Sequence, residues 1–202
     1  MDNKPFAEVI ASSLDTFTAQ CWQWDEFPPF GSLVQVEGED PTILGCVTSV
    51  QTGSMDPLRY PFPYKKTEGE LQAEQPQIFE FLKTIFTVNV MGSHDRSKKV
   101  RYMLPSRPSK IHAFIQSCSP ELATKFFSSP DFLYLLFSSS ATITHFDDLL
   151  LAIFEQLGNK KKLTPSIINT FCQTLSLLTG NDYRRMKLFL KRLENIDNNL
   201  SK

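Results

Sequence analysis

Few residues in this chain have the types and spacing that catalysis or metal binding would need. The four cysteines, Cys21, Cys46, Cys118 and Cys172, are too far apart for a C-x-x-C pair. Neither a redox dithiol nor a zinc knuckle can be read from them. His94, His112 and His145 are likewise scattered and lack a partner four residues away, so a helix-borne metal pair is excluded. A neutral imidazole that satisfies itself on one backbone carbonyl is the expectation for each. A Cys–His nucleophile pair has no local support, and the serines around Ser140 lack the G-x-S-x-G turn. None of the 8 glycines is followed by lysine, so the phosphate loop G-x-x-x-x-G-K-S/T cannot be written anywhere. The sequence therefore points away from a nucleotide-hydrolysing enzyme and toward a protein without cofactor or metal. An enzyme with an unrecognised site ranks third among the readings of function.

Two contact chemistries remain. Phe17, Ala19 and Cys21 fall on one side of an alternating run, which sends Trp22 and Trp24 to the other side with Thr16, Thr18 and Gln20. Those tryptophans are candidate partner contacts, or else they are covered by the following loop or by the helical half. The second candidate is the basic carboxy-terminal segment, where residues 159–202 hold 9 Lys/Arg against 3 Asp/Glu. Arg184, Arg185, Lys187, Lys191 and Arg192 flank an apolar stripe there. They form either a nucleic-acid face or a solvated helix surface.

The elements that must carry these side chains change character along the chain. Short β-branched or alternating runs at Ala7–Ile10, Thr16–Trp22, Leu33–Val36, Ile43–Val50 and Ile85–Met91 predict strands, with proline-rich loops at 27–32 and 55–63. Between the fourth and fifth strands, Leu71, Ile78, Phe79 and Leu82 predict an inserted short helix over about 70–82, with Pro76 opening a fresh turn. Past Pro105–Pro108 the period becomes helical. Ser119-Pro120 and Ser129-Pro130 mark helix starts, and amphipathic helices follow at 144–157, from Pro165, and from about Asp182. Gly158 and Gly180 stand where two of those helices should end, and Asn159–Lys162 reads as a polar joint.

The runs Phe30-Gly31-Ser32-Leu33-Val34-Gln35-Val36 and Ile43-Leu44-Gly45-Cys46-Val47-Thr48-Ser49-Val50 carry a further pattern. It resembles the HAS barrel, the small β-barrel at the amino ends of HerA-type helicases and of ATP synthase subunits. Phe6–Ser13 and Met55-Asp56-Pro57 are similar to the same layout, and Gln75–Thr84 and Leu104–His112 resemble stand-alone bacterial HAS-barrel proteins of uncharacterised function. The resemblance covers residues 6–112 and implies a scaffold. In the larger relatives the barrel serves ring assembly and partner docking, while chemistry sits in an ATPase domain that this sequence lacks.

With 41% hydrophobic and 21% charged residues, the 202-residue chain has the composition of an ordinary globular protein. Its net charge of −1 conceals a split: residues 1–90 hold 13 acidic and 5 basic side chains, a balance of −8, and the remainder balances at +7. Self-neutralisation within one fold, head-to-tail contact between copies, or a basic face for an acidic partner would each account for it. The amino terminus shows no export signal, Phe132–Phe146 is too short to span a membrane and is broken by Ser138–Thr144, and cysteine usage fits a reducing compartment. A cytoplasmic location is expected.

Together these observations predict an α+β protein. Residues 1–112 form a six-stranded antiparallel barrel, and residues 113–202 form a helical domain of four or five helices. The expected function is a non-enzymatic adaptor or assembly module that docks a protein or a second copy of itself. The alternative is a nucleic-acid-associated protein working through its basic helices.

Overall fold

A computed structural model describes residues 4–38, 40–56, 58, 61–97, 99–159 and 165–200. Strands β1 (Ala7–Ser12), β2 (Thr16–Cys21), β3 (Leu33–Val36), β4 (Thr42–Ser54), β5 (Leu82–His94), β6 (Val100–Arg101) and β7 (Phe114–Ser117) form one antiparallel sheet. Their order is β2-β1-β7-β3-β4-β5-β6, and β2 also pairs with β5. That last pairing closes six strands into a barrel and leaves β6 as a short addition outside it.

Closure follows from the alternation. Val9, Phe17, Ala19, Val34, Val36, Ile43, Val47, Phe86, Val88 and Ile115 point inward and are buried as one cluster. The interior is filled with side chains, as small barrels require. Register shifts at Val9/Ala11, Leu44/Gly45 and Val47/Ser49 bend β1 and β4 around this core. Gly45 is fixed by close approach: a Cβ there would lie 2.3 Å from Val88 Cγ1 and 2.8 Å from the Asn89 carbonyl oxygen.

Five helices follow: α3 (Pro120–Phe127), α4 (Phe132–Ser138), α5 (Phe146–Asn159), α6 (Pro165–Leu178) and α7 (Tyr183–Leu200), after the inserted α1 (Glu68–Glu74) and α2 (Gln77–Glu80). Ser119 caps α3 by accepting from the Leu122 amide, with Pro120 in the first turn. The helices bury their apolar faces on the outside of β3, β4 and β5 through Leu33, Leu44, Cys46 and Met91. A set of interlocked phenylalanines fills the space between helices, with Phe132 and Phe154 each about 5 Å from Phe171 in ring-centroid distance. Gly31, with φ +80°, brings the loop before β3 against α5, where Ala152 and Ile153 leave no room for a side chain.

Several expectations are corrected in detail. The sixth barrel strand is β7, beyond the 1–112 segment, because four residues are too few to display an alternation after a proline-rich run. The helix expected over 70–82 is two short helices broken at Gln75-Pro76, and Leu82–Thr84 belong to β5. Thr67 begins α1 with a reciprocal capping box to Glu70. The long strands reach past their expected ends, to Ser54 in β4 and His94 in β5, because each pairs with the other along its whole length. Gly158 lies within α5 rather than ending it, and residues 160–162 of the polar joint fall outside the described residues. Gly180 and Asn181, both at positive φ, do end α6.

Candidate functional site

The carboxy-terminal helices cover the wall of the barrel made by β3, β4 and β5, and among the described residues the wall made by β2, β1 and β7 carries the exposed Ile10, Ala11 and Phe114. Register places Glu8 of β1 between Gln20 of β2 and Phe114 of β7. Trp22 follows directly after β2, its amide bonded to the Phe6 carbonyl at 2.9 Å. Its indole N–H donates to Glu8 Oε1 at 3.1 Å, and its ring meets Phe114 edge to face at 5.3 Å. The other Glu8 oxygen, Oε2, lies 3.2 Å from Nδ1 of His112, whose backbone sits at φ +67°.

One carboxylate thus holds two rings in place on an open surface. Trp22 is 52% exposed and Phe114 44% exposed. Ile10 and Ile111 are also exposed, and the His112 amide bonds the Val9 carbonyl. A shallow depression lined by Pro5, Glu37, Gly38, His112, Ala113 and Phe114 borders it. Sequence reasoning found Trp22 and missed Glu8, His112 and Phe114. The β1–β2 register sets Glu8 beside it, and the β1–β7 register adds Phe114 and the adjoining His112.

Trp24 does not share this surface. It is half-buried and stacks on Phe79 of α2 at 5.6 Å, while its carbonyl accepts from the Thr84 hydroxyl. The inserted helices, rather than the carboxy-terminal ones, provide its cover. Trp24 anchors the insertion and Trp22 faces solvent.

The basic residues separate in the same way. Arg185 donates to Asp147 Oδ1 from Nη2 at 2.6 Å and from Nε at 3.2 Å, and its guanidinium carbon lies 5.7 Å from the Phe146 ring centre. Its hydrogen bond to Asp147 raises its already high pKa further. Arg192 pairs with Asp148. These two cations clamp α7 to the first turn of α5. Arg184, Lys187 and Lys191 are exposed and make no ion pair among the described residues.

Cys21 and Cys46 are buried, and Cys118 and Cys172 are partly buried. Desolvation pushes Cys21 up to about 12 and raises Cys46, Cys118 and Cys172 as well. His94 is buried, with Nε2 facing Gln35 Oε1 at 3.2 Å and Nδ1 facing the Asp95 carbonyl at 2.9 Å. His145 lies 3.9 Å from Asp148 at the surface. Among the described residues no three His, Cys, Asp or Glu side chains converge. A cleft of about 270 Å³ between Gly38–Ile43 and Pro105–Lys110 is walled by Pro41, Pro105 and Pro108.

No family model matches this chain, and no curated protein sequence is similar to it. No described helix is long and apolar enough to cross a membrane.

Proposed function

We propose that this chain is a HAS-barrel-type adaptor or assembly module, non-enzymatic, which docks a protein partner on the wall of β2, β1 and β7. The observation that carries the reading is Trp22: a large aromatic left half in solvent, yet fixed by Glu8 and Phe114. Tryptophan is enriched among interface hot spots, and a ring already held in one orientation loses little freedom on binding. The filled barrel interior supports the same reading, since it leaves the outer surface to do the recognising. Nucleic-acid association through α7 is the weaker alternative. Two of its five candidate cations, Arg185 and Arg192, are already paired with Asp147 and Asp148.

The test is recovery of companions by the tagged chain from its own cells, with and without nuclease, followed by calorimetry of the purified companion against parent and Trp22→Ala. A companion retained after nuclease, bound by the parent and at least about 30-fold more weakly by the variant, is expected from a hot spot of about 2 kcal/mol. Equal binding by a folded Trp22→Ala protein, or companions lost with nuclease, would overturn the proposal.

A further inference from the structure

Charge is divided along this chain, and the identified ion pairs lie either within the barrel with its insertion or within the helices, not between them. Lys66–Glu74 and Arg96–Asp40 lie on the barrel and its insertion, whereas Arg185–Asp147 and Arg192–Asp148 lie within the helices. Two exposed surfaces of opposite sign are left over. On α7, Arg184, Lys187 and Lys191 recur at helical spacing, so they share one stripe with the exposed Leu188, and the exposed Tyr183 borders it. The exposed Glu194, three residues beyond Lys191, stands at the edge of that stripe as its one acid among the described residues, so three cations outnumber it.

The opposite surface is assembled by the Trp24–Phe79 stack. It sets the exposed Asp25-Glu26 turn beside α2, whose last residue is Glu80. Phe27 and Phe81 are exposed at its edges, 48% and 59%. Asp25, Glu26 and Glu80 make no ion pair among the described residues. Three acids with two apolar rings therefore face solvent on the barrel, against three cations with two apolar side chains on α7.

The two surfaces belong to different parts of the fold, one on the barrel insertion and the other on α7, which packs on α5 and α6. Along β5, Thr84 bonds Trp24 beside the acidic surface, while Met91, seven residues further on, packs into the helical core.

We propose that the α7 stripe of one molecule docks on the Asp25–Glu26–Glu80 surface of a second copy, giving head-to-tail self-association. A polyanion such as nucleic acid is a poorer occupant, because it would meet the −8 balance of the amino-terminal half. A second copy carries the complementary sign and the complementary apolar groups. The contact is heterologous, so it propagates into a ring or filament instead of stopping at a symmetric dimer. It is separate from the Trp22 surface and stands or falls independently of it.

Sedimentation velocity on the full chain, across concentration and at about 0.05 M and about 0.5 M salt, tests this. The expected result is concentration-dependent association that weakens at least about tenfold at the higher salt. Two charge-reversed proteins then provide the decisive comparison: Arg184→Glu/Lys187→Glu/Lys191→Glu and Asp25→Lys/Glu26→Lys/Glu80→Lys. Each alone should be monomeric, and an equimolar mixture should associate again, with far-ultraviolet circular dichroism confirming that both are folded. A parent that stays monomeric at low salt, reversals that leave association unchanged, or a mixture of folded variants that stays monomeric would overturn the proposal. So would binding of a DNA oligonucleotide to α7 by a monomeric parent.

Discussion

Two glycines with almost the same positive φ allow the packing of barrel on helices to be weighed against backbone strain. Gly31 has φ +80° and Gly38 has φ +77°. A Cβ at Gly38 meets nothing within 4 Å, whereas one at Gly31 meets Ala152 Cβ at 3.0 Å and the Ile153 amide nitrogen at 3.3 Å. Gly38→Ala should therefore cost only the left-handed conformation, about 1–2 kcal/mol. Gly31→Ala should cost the same plus about 1–2 kcal/mol for forcing α5 off the barrel loop. The difference between them is the steric share. Ala152→Gly should lower the steric cost of Gly31→Ala while itself costing about 1 kcal/mol of helix propensity. Urea unfolding of the four proteins and the Gly31→Ala/Ala152→Gly double variant, with midpoints compared at constant m, measures the whole cycle. If Gly31→Ala costs no more than Gly38→Ala, or if Ala152→Gly does not couple to it, the close seating of α5 on this loop is wrong.

Other outcomes follow from the same contacts. Trp22→Ala should lower stability by only about 1–2 kcal/mol, because about half of the ring is already in solvent, and thermal unfolding would show a loss of a few degrees. Arg185→Ala should cost about 1 kcal/mol, shrinking at high salt, while Arg184→Ala should be neutral within error in urea unfolding at low protein concentration. Burial raises Cys46 far above its unfolded value, so above about pH 9 the unfolded chain releases a proton that the folded chain retains, and stability falls as pH rises. Relative to the parent, Cys46→Ala should lessen that fall by up to about 1.4 kcal/mol per pH unit, read from urea midpoints between pH 8 and about 10. Tyr102→Phe removes the hydroxyl that donates to the Phe126 carbonyl at 2.7 Å and should cost about 1 kcal/mol in the same assay.

How much of this was legible varied with the range of the interaction. The inward and outward faces of β2 were readable because the period of two is a property of the extended chain itself, and Phe17, Ala19 and Cys21 are buried as that period requires. The Ser119-Pro120 start of α3 was readable because its cap is made within one helical turn. β7 was not: Phe-Ile-Gln-Ser has no pattern of its own and is a strand because β1 and β3 offer their edges to it. Trp22 and Trp24 look alike in sequence, two residues apart, and they part company only because α2 returns from 55 residues further along to stack on one of them.

The sequence by itself determined the α+β division, the alternation that lets six strands close, and the unequal distribution of charge, since each depends on residue type and on neighbours within a few positions. Tertiary structure decided which wall of the barrel is covered, which tryptophan stays in solvent, and which cations are spent on Asp147 and Asp148. Those outcomes depend on contacts between segments far apart in the chain, and no local period or propensity records where such segments meet.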